Sequence, residues 1–169
     1  MPTQNFQIRV PDTITQIDAV RELFASYAAS LNVDLCFQQF EAEMAGLPGQ
    51  YAPPRGILLA AYAGDRLAGC CALRPLDVAH YPNACEVKRL DVRQNFRGFG
   101  AGRQLVEAIL DTARQANYAC ALLDTLSEMT PARSLYKDMG FIEIEPYYVN
   151  PIKDAHYFML RLKPATCRK

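Results

Sequence analysis

Two hydrophobic periods alternate along this chain. "FQIRV", from Phe6, alternates apolar and polar positions and predicts a first strand. From Thr13 to about Leu31, the residues Ile17, Val20, Leu23, Phe24 and Tyr27 recur at helical spacing, with Thr13 or Thr15 available as N-cap. Phe37 to Ala45 predicts a shorter helix, and the prolines and glycines of "LPGQYAPPRG" make a loop. "GILLAAYAG" and "RLAGCCALRP" predict two strands, joined at "AGDR", where Gly-Asp suits a tight hairpin turn. "ACEVKRLDV" is a further strand. The helix after it, from close to Gly100 to about Asn117, keeps Leu105, Val106, Ile109, Leu110 and Ala113 on one face. The continuous apolar run "YACALLDTL" suits a strand covered on both faces. "TPARSLYKDMG" predicts a helix with Thr130 as N-cap, Pro131 as first helical residue and Gly140 as its stop. "FIEIEPYYV" and "HYFMLRL" alternate and predict the closing strands. The expected fold is α+β in one domain over residues 1–169, a mixed, mostly antiparallel sheet flanked by helices.

Composition changes this picture little. Half of the 169 residues are hydrophobic and 21% are charged, ordinary values for a globular chain able to bury one core. The 18 basic residues balance 18 acidic ones, so nothing global points to nucleic acid or to a membrane surface. Any anion site must arise from local arrangement. Of the cysteines, Cys36, Cys70, Cys71, Cys85, Cys120 and Cys167, none are spaced C-x-x-C, and His80 and His156 lie far apart, so no metal is expected. Four of the six fall in strand-like apolar runs and read as free buried thiols. The opening "MPTQNFQIRV" has no basic and apolar regions of a signal peptide, and the longest apolar run is too short to span a bilayer. A cytoplasmic protein is expected.

Candidate chemistry concentrates in "NFRGFGAGRQLVEAIL", from Asn95. Gly98, Gly100 and Gly102, with Arg97 and Arg103, sit at the mouth of a helix. A helix start offers unpaired N–H groups and partial positive charge. Glycines let main chain approach a ligand closely. Together these features suit a phosphate or pyrophosphate. The alternative is a tight strand–helix connection in which the glycines serve only the turn. Two nucleotide patterns fail here: the P-loop needs Lys-Ser/Thr after its last glycine, where this chain has Arg103-Gln104, and G-x-G-x-x-G needs a glycine where Arg103 stands.

Strand "EVKRLDV" followed by "RGFGAG" resembles the acetyl-coenzyme-A loop, R/Q-x-x-G-x-G/A, of the GNAT superfamily of N-acetyltransferases, with Arg97, Gly100 and Gly102 in the defining places. "ARSLYKDMGF", Ala132 to Phe141, matches that superfamily's second signature, A-x-x-L-Y-x-x-x-G-F. "LDTLSEM", "PYYVNP" and the closing "FML" look like a branch of small bacterial acetyltransferases. The resemblance covers nearly the whole chain. One departure is Met129, where members often carry an asparagine that bonds the pantetheine arm.

The resemblance implies the following roles. Backbone N–H groups from Arg97 through Gly98, Phe99, Gly100, Ala101 and Gly102 to Arg103 hold the pyrophosphate of acetyl-CoA. The strand Leu90–Asp91–Val92 splays from its neighbour and pairs with pantetheine, and the Leu90 N–H polarises the thioester carbonyl. Met129, Ala132, Leu135 and Tyr136 line the same cofactor. Tyr136 gives the departing thiolate a proton, and Glu86 serves as general base toward an amine otherwise protonated at neutral pH. The alternative for Glu86 is an ion pair with Arg74 or Lys88, and for Tyr136 core packing. On the acceptor side, Tyr27, Arg74, Tyr147, Tyr148 and Asn150 are candidates, with Arg74 able to fork a substrate carboxylate; surface tyrosines and a structural arginine are the alternative. No cysteine is placed as an acyl carrier. The expected reaction is direct transfer from acetyl-CoA to a small primary amine, and the resemblance makes a homodimer a candidate assembly. A protein or peptide acetyltransferase and a non-catalytic acyl-CoA sensor are the rivals.

Overall fold

The computed structural model describes residues 3–31 and 39–163. Its strands are β1 (Gln7–Arg9), β2 (Ile57–Ala63), β3 (Arg66–Leu76), β4 (Ala84–Val92), β5 (Cys120–Leu126), β6 (Ile142–Ile144) and β7 (Ala155–Arg161). Its helices are α1 (Ile14–Ser30), α2 (Phe40–Ala45), α3 (Ala101–Gln115) and α4 (Thr130–Asp138). The strands form one sheet in the order β1-β2-β3-β4-β5-β7-β6, antiparallel throughout except at β4–β5. The start expected for α2 at Phe37, and the cysteines Cys36 and Cys167, lie outside the described residues.

The unbroken apolar runs have a simple cause: the central strands bury both faces. On one face Leu59, Ala61, Cys71 and Leu73 meet Leu105, Val106, Ile109 and Leu110 of α3. On the other, Leu58, Ala60, Cys70 and Ala72 meet Val20, Leu23 and Phe24 of α1 and Met44 of α2. The β2–β3 hairpin turns on Gly64-Asp65, with Gly64 at φ +60°. Thr13 caps α1 in a full capping box with Gln16. Cys70, Cys71, Cys85 and Cys120 are free and buried. Burial pushes the Cys71 and Cys85 thiols up to about 12, away from thiolate chemistry.

Two expectations need correction. The cap of α4 is Met129, not Thr130; Thr130 is already helical, Pro131 is second, and no side chain bonds the helix start. The C-terminal end follows the expectation: the Gly140 N–H donates to Lys137 O and the Phe141 N–H to Tyr136 O, a Schellman motif with Gly140 at φ +95°. The strand expected over "FIEIEPYYV" stops at Ile144. Pro146 removes a ladder donor, and the next two rings, Tyr147 and Tyr148, pack on each other and on Tyr157 at 5.4–5.8 Å instead of alternating.

Candidate active site

The geometry begins with the only parallel pairing among the described strands. β4 and β5 pair at Ala84–Cys120, Cys85–Ala121 and Glu86–Leu122, then part. Past that point β4 carries a bulge, in which Arg89 and Leu90 together oppose Cys71, with Arg89 at φ +61°. Arg89 is held there by its buried guanidinium, which pairs with Glu43 at 2.8 Å and lies over the Phe40 ring. Gly69 lets the strands close beyond the bulge, since a Cβ there would sit 2.6 Å from the Asp91 carbonyl oxygen. The result is a V-shaped notch of about 80 Å³ lined by Leu90, Thr125, Met129, Ala132 and Tyr136. The splay expected before the glycine loop is therefore present, and its cause, the Arg89 bulge, has no signal in the sequence.

At the end of β4 the chain makes a 3-10 turn, Gln94–Phe96, and enters the loop. Gly100 adopts φ +92° as N-cap of α3, a conformation strained for any residue with a Cβ. Among the described residues none of the N–H groups from Gly98 to Arg103 finds a backbone acceptor. These six groups surround the helix start, as an anion cradle requires. Arg97 does not belong with them. Its N–H donates to Gln94 O at 3.2 Å, and its guanidinium turns back, Nε donating to Val92 O at 2.8 Å. Arg97 braces the strand end, while Arg103, half-exposed and ion-paired with Asp138 at 3.5 Å, stands at the mouth beside Gly98, Phe99 and Gly100. Asp91 is ion-paired with Arg97, and burial raises its carboxyl above the usual range.

The notch holds the remaining cofactor-side candidates. Tyr136 is buried, edge-on to Phe141 at 5.6 Å, and also lines the notch, so the packing and functional readings are compatible. Desolvation holds its hydroxyl pKa well above 10. Leu135 packs against the α3 core and lies near Gly102. The Met129 sulfur accepts from Thr125 Oγ1 at 3.5 Å and Tyr27 Oη at 3.7 Å. Tyr27, expected on the acceptor side, belongs to this notch: α1 crosses the sheet at the bulge, and burial raises the hydroxyl to about 12.

A larger cavity of about 620 Å³ opens beside the notch, with Glu86 at its base. Glu86 is 2% exposed. Its Oε1 receives Arg74 Nε at 2.9 Å and Nη2 at 2.7 Å, with Lys88 Nζ at 3.7 Å, and its Oε2 accepts from Tyr147 Oη at 2.7 Å. The ion-pair alternative for Glu86 thus exists in the fold. Arg74 spends its fork on Glu86, and its Nη1 donates to Gln50 at 2.9 Å, so it is not open to a substrate carboxylate. Asn150 does not line the cavity; it donates to Tyr148 Oη at 2.9 Å, which in turn donates to Asp124 at 2.5 Å, and so pins the loop. The sequence offered Lys88 only as an ion-pair partner of Glu86, whereas it lines both cavity and notch; it gave no sign of Gln50, Glu43 and Asp124, which hold Arg74, Arg89 and Tyr148 in turn. Alternation along β4 places Glu86 and Lys88 on one face and could have pointed to Lys88.

No group of three or more His, Cys, Asp or Glu side chains among the described residues could hold a metal, and no described helix is long and apolar enough to cross a membrane.

Residues 17–141 match the Acetyltransferase (GNAT) family. The chain is 36% identical to an uncharacterised N-acetyltransferase of Schizosaccharomyces pombe, over 96% of this chain and 98% of that one. It is 31% identical to an uncharacterised N-acetyltransferase of Dictyostelium discoideum, over 92% of this chain and 99% of that one. Its fold is similar to that of YncA from Salmonella typhimurium, solved with its cofactor acetyl-CoA, with a TM-score of 0.69, 16% identity, and coverage of 98% of this chain and 99% of the other.

Proposed function

The chain belongs to the GNAT family of acetyltransferases and is an acetyl-CoA-dependent acyltransferase, and we propose that it acetylates the primary amine of a small molecule by direct attack in a ternary complex. The observation that carries this reading is the meeting of two spaces at Lys88: the notch beside the parted end of β4, and the larger, partly open cavity over Glu86, which offers room for an acceptor. Bound acetyl-CoA supplies an acyl group activated as a thioester.

The residues divide the work. The N–H groups of Gly98–Arg103 hold the pyrophosphate. Leu90, Asp91 and Val92 present the unpaired edge of β4 to the pantetheine, with the Leu90 N–H facing the developing oxyanion. Met129, Ala132 and Leu135 form the apolar side of that channel. Glu86, through Tyr147 or a water, removes the proton of the attacking amine as the new C–N bond forms. Tyr136 donates its proton to the sulfur as the C–S bond breaks. Tyr147 and Tyr148 frame the acceptor; Glu86 holds the first and Asn150 the second, while Arg74 orients Glu86. The buried thiols, raised by desolvation, favour direct transfer over an acyl-cysteine route.

A thiol-release screen against amino acids, polyamines, aminoglycosides and peptides tests the reading. Turnover with a small primary amine is the expected result. Turnover with peptides alone overturns the small-molecule acceptor, and CoA binding without any turnover makes the chain a binding module.

Glu86→Gln should lower kcat/KM about 10²-fold with the CoA Kd unchanged. It also leaves Arg74 and Lys88 without their carboxylate. Because Arg74 is a quarter exposed, the cost is about 2 kcal/mol rather than the full buried-pair value. That corresponds to a melting temperature lower by about 4–8 °C. A Glu86→Gln enzyme of unchanged kcat/KM, assayed well below its melting point, removes Glu86 from proton transfer.

A further inference from the structure

Before β1, the segment Thr3–Phe6 runs across the outside of the glycine loop. Three hydrogen bonds stitch it down. The Gln4 N–H donates to Phe99 O at 3.1 Å, Gln104 Nε2 donates to Gln4 O at 2.8 Å, and Gln104 Oε1 accepts from the Phe6 N–H at 3.2 Å. The Gln104 amide thus engages both backbone groups that a neighbouring strand would. Phe6 anchors the far end, buried edge-on to Phe96 at 6.4 Å. Thr3 and Gln4 form one wall of a cavity of about 580 Å³ whose other walls include Gly98, Gly100 and Arg103.

In a trans peptide the C=O and the following N–H point in opposite directions. The Gln4 N–H holds the Phe99 carbonyl outward, which turns the Gly100 N–H the other way, toward the inside of the loop. Gly100 has no Cβ and sits at φ +92°, so little in its own conformation resists rotation of that peptide. An untethered peptide could present a carbonyl dipole where an anion must sit.

We propose that Gln104 is a positioning residue for coenzyme binding. Through the Thr3–Phe6 segment it fixes the Phe99–Gly100 peptide with its N–H toward the pyrophosphate. This rests on the reading of Gly98–Arg103 as the pyrophosphate cradle.

Calorimetric affinities of the full chain for CoA and for pantetheine, which lacks the pyrophosphate, provide the test. Gln104→Leu, close in size but without either hydrogen bond, should weaken CoA about tenfold, the value of one charge-assisted donor, and leave pantetheine unchanged. Gln104→Glu keeps the acceptor for Phe6 but loses the donor to Gln4 O, and should weaken CoA at least as much. Wild-type CoA affinity in Gln104→Leu, or equal loss of CoA and pantetheine, overturns the positioning role. Gly102→Glu separates the two readings: normal CoA binding there means the cradle itself is misassigned, whereas loss there with none in Gln104→Leu leaves the cradle standing and removes only Gln104.

Discussion

Gly102→Glu is expected to abolish the rise in melting temperature that acetyl-CoA gives the wild type. At a ligand concentration about a hundred times Kd, binding adds about 2.7 kcal/mol to the folded state, or about 5–10 °C for a chain of this size. Gly102 is the right position because the substitution is benign without ligand. Unlike Gly100 it is helical, and a Cβ there would meet only side-chain atoms, Leu135 Cδ2 at 3.6 Å and Val92 Cγ2 at 3.8 Å. An acidic side chain in the first turn of α3 favours the helix dipole. If the Gly98–Arg103 N–H groups hold the pyrophosphate as proposed, the same carboxylate competes for them and repels the phosphates. A thermal scan with and without acetyl-CoA reads the result directly. A Gly102→Glu protein that still gains several degrees would place the pyrophosphate elsewhere.

Tyr136→Phe should reduce kcat about 10²-fold while CoA affinity stays at the wild-type value. The ring keeps its contacts with Phe141 and Phe158, so the packing survives. If Tyr136 is the proton donor proposed above, only the proton for the departing sulfur is lost. The effect belongs at the low end of the 10²–10⁴-fold range for general acids, because the burial that keeps the hydroxyl protonated also makes it a weaker acid. The sign of that shift bears on pH dependence: a hydroxyl raised well above 10 stays protonated through the working range. Any alkaline fall in activity below pH 10 therefore comes from another group and persists in Tyr136→Phe. Single-turnover thiol release checks both points, and unchanged turnover removes Tyr136 from the mechanism.

The glycine loop and its helix start were legible because they depend on local backbone. Glycines and a helix start lie within a few residues of one another, and the amphipathic face of α3 marks where that helix begins. The large cavity over Glu86 was not legible, because it is assembled from α2, β3, β4 and the loop after β6. Arg74 looked available for a carboxylate until the register placed it opposite Glu86. Tyr27 carries no sign of which face of the sheet it will cross. Asn150 adjoins two site tyrosines in sequence, yet acts from behind one of them.

By itself, the sequence determined the order of elements, the two-sided burial of the strand in "YACALLDTL", the glycine loop and its place after a strand. Each follows from periodicity or from the conformational range of single residues. Only the tertiary structure decided where β4 leaves β5, which charges Glu86 holds, and that residues 3–6 brace the loop from outside. Those features depend on side chains far apart in the chain, such as Arg89 with Glu43 and Gln104 with Gln4, whose pairing energy exists only once the sheet has brought them together.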